Sequence, residues 1–232
     1  MNDMRAGQAG KGRTPAVEIP IITPDQALKR LYEGNQRWIA GKPIFPNVDT
    51  ARRAGVAKEQ KPFAVVFGCA DSRVSPELVF DCGLGDLFVV RTAAHMLDSA
   101  AMGSIEFGVE VLAIPLIMVM GHKRCGAIAA AVEAAQSNRT PPGQIKLLVD
   151  NLMPAIDLGI PQYGDIVEHT VLAQVKLTIE KLRTSTVIVE KVNAGKVGVV
   201  GACYDLDTGA VEITVKMPGA GEFPSPVWGF EP

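Results

Sequence analysis

Four short apolar runs, free of charge, set what this chain can fold into: residues 63–67 (Phe-Ala-Val-Val-Phe), 87–90 (Leu-Phe-Val-Val), 115–120 (Pro-Leu-Ile-Met-Val-Met) and 197–201 (Val-Gly-Val-Val-Gly). A strand with one face in water alternates apolar and polar residues; an unbroken apolar run reads as a strand buried on both faces. Helical patterns separate the runs, notably at 98–113, 126–135 and 165–182. Buried strands alternating with helices predict an α/β domain: a mostly parallel sheet, flanked by helices, with crossover connections. Near the end, Asp207-Thr-Gly209 turns 199–206 back into 210–216, which predicts an antiparallel hairpin at one edge of the sheet.

The first core run is preceded by a helical arm over 23–41. Thr23, Pro24 and Asp25 supply an N-cap, a first-position proline and an acidic first turn, and Gly41 can end the helix. Its apolar residues Ala27, Leu28, Leu31, Tyr32, Trp38 and Ile39 have helical spacing, and its place ahead of the sheet suggests packing on a partner subunit. The segment 1–20 reads as a flexible Gly- and charge-rich tail, 21–216 as the folded domain, and 217–232 as a Pro/Gly-rich tail. At 232 residues and 47% apolar, the chain is long enough to build a full core. A net charge of −2 gives no reason to expect nucleic acid, and the longest uncharged apolar stretch is too short to span a bilayer. The N-terminus lacks an apolar signal core, and four cysteines are too few for a disulfide scaffold, so the expected setting is the cytoplasm.

Two clusters carry chemistry. Cys69-Ala-Asp71-Ser-Arg73 follows the first run, and His122-Lys-Arg-Cys125 follows the third, about fifty residues later. Two thiols and an imidazole, with a carboxylate or water as the fourth group, make a tetrahedral zinc set. Structural zinc sites use four Cys or His ligands. A carboxylate can instead leave the metal, and Arg73 offers Asp71 a bidentate partner when it does. That describes an openable site, suited to metal-activated water attacking a small electrophile. Both clusters sit at the carboxyl ends of buried strands, where parallel sheets place their ligand crevice.

The segments Gly68-Cys-Ala-Asp-Ser-Arg-Val74 and Gly121-His-Lys-Arg-Cys-Gly-Ala127 resemble the β-class carbonic anhydrases. The likeness extends through Gly83-Leu-Gly-Asp-Leu-Phe-Val-Val-Arg91 and Ser104-Ile-Glu-Phe107, and covers roughly residues 24–204. The resemblance implies zinc, reversible hydration of carbon dioxide to bicarbonate and a proton, and homodimers that often pair into tetramers. Position by position it implies Cys69, His122 and Cys125 as zinc ligands, Asp71 as a conditional fourth ligand, and Asp71 with Arg73 as a catalytic dyad. Gln60 falls where plant-type members place a substrate-binding glutamine. Backbone amides near Gly126 would orient substrate oxygens, and Arg91 matches an arginine near the dimer-associated pocket. Val66 stands where the Asp-ligated form of the family carries tryptophan, so the chain resembles the open type.

Three departures from the family pattern bear on the pocket: Phe107 replaces a common tyrosine, Ala94-His95 a Gly-Asn, and Cys82 a glutamine. Two rival functions stay open here: a hydrolase of carbonyl sulfide or carbon disulfide on the same scaffold, and a non-catalytic zinc- or bicarbonate-binding module. Cys82 and Cys203 read as small buried hydrophobes, and Met118 and Met120 as strand core. His169, Lys123 and Arg124 read as surface or interface residues. His95 admits two roles, a proton shuttle or a loop histidine with a structural hydrogen bond.

Overall fold

The computed structural model describes residues 22–137, 139–159 and 164–217. Helix α1 (Pro24–Ile39) starts at a capping box, in which Thr23 Oγ1 accepts from the Gln26 amide and Gln26 Oε1 accepts from the Thr23 amide. It ends in a Schellman turn. Gly41 takes φ +65°, its amide donates to Trp38 O, and the Lys42 amide donates to Arg37 O. Short α2 (Thr50–Val56) follows, capped by Asp49. Then come β1 (Ala64–Cys69), α3 (Pro76–Val79), β2 (Leu87–Thr92), a 3-10 turn at Ala93–His95 and α4 (Ser99–Glu110). The second half runs β3 (Leu116–His122), α5 (Gly126–Gln136), α6 (Ile145–Leu158), α7 (Ile166–Leu182), α8 (Thr186–Asn193), β4 (Gly198–Tyr204) and β5 (Val211–Lys216).

The strands form one sheet in the order β2-β1-β3-β4-β5. β1 to β4 are mutually parallel, and β5 returns antiparallel to β4 as the expected edge hairpin, with a bulge at Gly201/Ala202. Every residue of β1, β3 and β4 is buried, which is why their sequences show no alternation. Edge strand β5 alternates instead, with Val211 and Ile213 inward and Glu212 and Thr214 outward. The core fills both faces around Phe67, Leu116, Ile117, Met118 and Met120, all fully buried. Burying such side chains stabilises by about 1.5–3 kcal/mol each.

In the arm helix Ala27, Leu28 and Leu31 are buried in this chain's own core, while Tyr32 and Trp38 are half-buried and Ile39 is exposed. Asn35, fully buried, ties α1 down: its Nδ2 donates to Val79 O and Gly209 O, and its Oδ1 accepts from the Val211 amide. Gly34 allows the approach, since a Cβ there would lie 1.8 Å from Phe80 O. Two buried aspartates fix the next segment. Asp81 accepts from Arg37 Nε and the amides of Ile44 and Phe45, and Asp86 accepts from Asn47, Arg52, Arg30 and the Gly83 amide. The expected tail at 1–20 lies outside the described residues, as does the C-terminal one except for Met217, which is buried. Among the described residues no helix is long and apolar enough to cross a membrane.

Candidate metal centre

Parallel pairing of β1 with β3, in register at Gly68 and Met120, brings the carboxyl ends of the two strands side by side. Cys69 is the last residue of β1 and His122 the last of β3. Cys125 then stands at the N-cap position of α5, its side chain making no capping hydrogen bond. Three ligand atoms, from Cys69, His122 and Cys125, lie within 4.8 Å of one another, and all three residues are buried. The two sulfurs are 3.9 Å apart. Tetrahedral zinc with bonds of about 2.3 Å would hold them about 3.8 Å apart.

The imidazole is prepared to coordinate. Nδ1 of His122 is 2.9 Å from Lys123 O, an acceptor only, so Nδ1 carries the proton. Nε2 is left with its lone pair, buried and without a hydrogen-bond partner. A buried orphan nitrogen among two thiols is costly unless something occupies the space between them. The thiols titrate as a pair. Cys69 is held well below the usual thiol range by the hydrogen bond from Cys125 and then by His122 and the Asp71 amide. Cys125 is pushed up by the neighbouring Cys69 sulfur and by burial. A divalent cation between them would favour both thiolates. The donor set therefore fits zinc.

Asp71 is turned onto Arg73. Arg73 Nε donates to Oδ1 at 3.0 Å and Nη2 to Oδ2 at 2.8 Å, while the Arg73 amide adds a third bond to Oδ1. These contacts, led by the guanidinium, hold the Asp71 carboxyl down to about 2. Oδ2 still lies 3.9 Å from His122 Nε2, so the carboxylate borders the ligand cluster without belonging to it. Arg73 also donates to Arg124 O at 3.3 Å, linking the two motifs directly.

Arg91 has a role that sequence reasoning missed. From β2 its Nε donates to Cys69 O at 2.8 Å and its Nη2 to Asp71 O at 2.6 Å, which pins the turn carrying both residues. The signal was available: a charged residue closing an apolar strand, paired in register with Gly68 just before the ligand. Gly126 is the exposed first residue of α5, beside Cys125. Gln60 is not brought to the cluster. It is exposed and precedes the amino end of β1, whereas Cys69 stands at the carboxyl end.

The other candidates resolve simply. Cys82 and Cys203 are buried thiols, each raised to about 12 by burial. His169 is exposed, Met118 and Met120 are fully buried, and Lys123 and Arg124 pair with Asp205 and Asp207. His95 is 1% exposed, and neither ring nitrogen has a hydrogen-bond partner among the described residues. Burial drives its pKa down to about 4. The structural hydrogen bond expected of a loop histidine is therefore absent, and so is the solvent contact a shuttle needs. Phe107 is exposed on α4, tilted against Phe88 at 6.3 Å.

Comparison with known proteins gives the same direction. A sequence model of the carbonic anhydrase family matches residues 64–211. Carbonic anhydrase 2 of Mycobacterium tuberculosis is 43% identical over 205 residues, covering 88% of this chain and 99% of that protein. The Coccomyxa β-carbonic anhydrase solved with acetazolamide superposes with a TM-score of 0.60 at 26% identity, over 80% of this chain and 85% of that one. A tetrameric β-carbonic anhydrase of Sordaria macrospora, 23% identical, shares the fold with a TM-score of 0.63, over 81% and 96% of the respective chains. With the family's sequence model matched across most of the folded core and a relative 43% identical along nearly its whole length, this chain belongs to the β-class carbonic anhydrases.

Proposed function

We propose that this protein binds zinc through Cys69, His122 and Cys125 and interconverts carbon dioxide and bicarbonate, releasing a proton. The observation that carries the reading is the buried ligand triad with Asp71 drawn aside by Arg73. A structural zinc site has no use for that second feature. When bound, zinc supplies a Lewis acid and a water acidified to near-neutral pKa.

The chain's own residues do the rest. Lys123 O fixes the His122 tautomer, leaving the Nε2 lone pair free to hold a metal. Asp71, kept ionised by Arg73, acts only as an acceptor, so it takes a hydrogen bond from the reacting water and aims its lone pair. Arg91 keeps the Cys69–Asp71 turn from shifting beneath it. Amides near Gly126, at the α5 amino terminus, orient the oxygens of substrate and product. Gln60 serves the substrate from a second copy of the chain. Six residues of β1 span about 17 Å, so Gln60 is out of reach of its own site. The dimer reading rests on that argument, and the Sordaria relative is described as tetrameric. All four cysteines are free, which suits the reducing cytoplasm as the location; co-fractionation of the tagged chain with a cytoplasmic marker tests this.

Asp71→Asn tests the mechanism. The amide retains volume but can no longer accept from Arg73 and the reacting water together. We expect full zinc content with hydration slowed by about 10²–10³-fold. Near-normal hydration by this variant would remove Asp71 from the mechanism.

A further inference from the structure

The ligand loop between His122 and Cys125 is gripped from outside by the β4–β5 turn, a contact the reaction itself does not require. Beyond the β3–β4 ladder, the Lys123 amide donates to Tyr204 O at 2.9 Å. Lys123 Nζ donates to Asp205 Oδ2 at 3.0 Å, and Arg124 Nη2 to Asp207 Oδ1 at 2.6 Å. Both flanks of the 123–124 peptide are thus held by one turn. That peptide's carbonyl, Lys123 O, fixes His122 Nδ1. The next carbonyl, Arg124 O, accepts from Arg73, the partner of Asp71. Arg124 also sits at φ +52°, in the left-handed region a non-glycine residue adopts only when its surroundings hold it there.

Asp205 organises the turn. Its side chain is 20% exposed. While Oδ2 faces Lys123, Oδ1 accepts from the amides of Asp207 and Thr208. Its backbone closes the hairpin, the amide donating to Ala210 O and the carbonyl accepting from the Gly209 amide. The turn is anchored on its far side by α1, where Asn35 Nδ2 donates to Gly209 O and Trp38 Nε1 to Tyr204 Oη. A contact chain therefore runs from the arm helix through the turn to a metal ligand and to the dyad.

We propose that Asp205 is a positioning residue for the His122 ligand, acting through Lys123 to hold the carbonyl that orients the imidazole. The inference rests on the zinc reading above. Partners one step beyond the ligands typically tune metal affinity by 10–100-fold, and Asp205 acts one step further out, so about tenfold is expected.

The test uses the zinc-loaded protein and two variants. Asp205→Asn keeps an oxygen for the turn amides but presents an NH2 to Lys123. Lys123→Met removes the same pair from the other side and leaves the turn bonds intact, so it carries the test if the first variant folds poorly. Zinc release to a chelating dye should accelerate about tenfold in each, with no further gain in the double variant. The visible spectrum of the cobalt-substituted protein should shift, reporting changed ligand geometry. Ser185→Ala, which removes the α8 cap and its contact with Glu106 at the other end of the sheet, is the control for mere destabilisation. It should leave release and spectrum unchanged. Release within twofold of wild type in both variants, or equal acceleration by Ser185→Ala, would overturn the proposal while wild-type zinc binding keeps the parent reading intact. A wild-type protein that takes up no zinc would overturn the parent reading itself.

Discussion

Asp81→Asn isolates the electrostatic clamp that holds the segment after α1. The Asp81 side chain is fully buried and accepts from Arg37 Nε at 2.6 Å, the Phe45 amide at 2.9 Å and the Ile44 amide at 3.0 Å. Asparagine tolerates the left-handed backbone at this position, φ +46°, at least as well as aspartate, so the substitution adds no strain. Its oxygen, at the Oδ1 position, can keep the Phe45 bond and the longer 3.2 Å contact from the Ile44 amide, now to a neutral acceptor, but its NH2 meets Arg37 Nε–H donor against donor. Losing one charge-assisted bond costs about 1.5–3 kcal/mol, and the two weakened amide bonds add roughly 0.5 kcal/mol each. Arg37 is one-third exposed and recovers part of this from water. The net expectation is about 2.5 kcal/mol, or a melting point lower by about 5–10 °C for a domain of this size.

The pH dependence follows with a definite sign. Burial alone would raise the Asp81 pKa, but Arg37 and the two amides outweigh it and hold the folded-state pKa below the usual value. The stabilisation is therefore complete above the unfolded pKa, about 3.9, and fades as pH falls through the folded one. Urea unfolding from pH 7 to pH 3 should show a constant gap between wild type and Asp81→Asn down to about pH 4, narrowing below. A gap under about 0.5 kcal/mol at pH 7, or one unchanged at pH 3, would rule out an ionised Asp81 clamp.

Two further substitutions probe the site and the arm. Cys125→Ser should lose zinc, because a hydroxyl replaces a thiolate donor; metal analysis that returns one zinc per chain would refute the ligand assignment. Gly34→Ala should destabilise by about 3 kcal/mol or more, since its Cβ would sit 1.8 Å from Phe80 O and must lift α1 off the end of α3 along with the Asn35 bond to Val79 O; an unchanged melting point would contradict that packing.

The sheet was legible because three of its strands are buried on both faces and so appear as unbroken apolar runs, and the site was legible because its ligands close those runs. Helix α6 escaped notice because Pro154 reads as a breaker. It is tolerated because Pro154 and Asp150 both lie on the exposed face, where the freed Asp150 carbonyl can meet water. Helices α2 and α3 are too short, at 7 and 4 residues, to show a period. Arg91, Asp81 and Asp205 act through hydrogen bonds to residues 20 to 82 positions away, or to backbone groups across a turn, and no local spacing announces such partners. His95 misled for a related reason: a loop histidine usually meets water or an acceptor, and here the packing of the turn against β1 and β3 denies it both.

The activity proposed for the Cys69–His122–Cys125 centre is zinc-dependent hydration of carbon dioxide. Stopped-flow hydration with a pH indicator at mildly alkaline pH, on protein of known zinc content, tests it most directly. Proton release should be fast, vanish when the metal is chelated and return when zinc is restored, with little turnover of carbonyl sulfide. Zinc-loaded protein that leaves carbon dioxide at its uncatalysed rate would contradict the account, whether or not carbonyl sulfide is consumed.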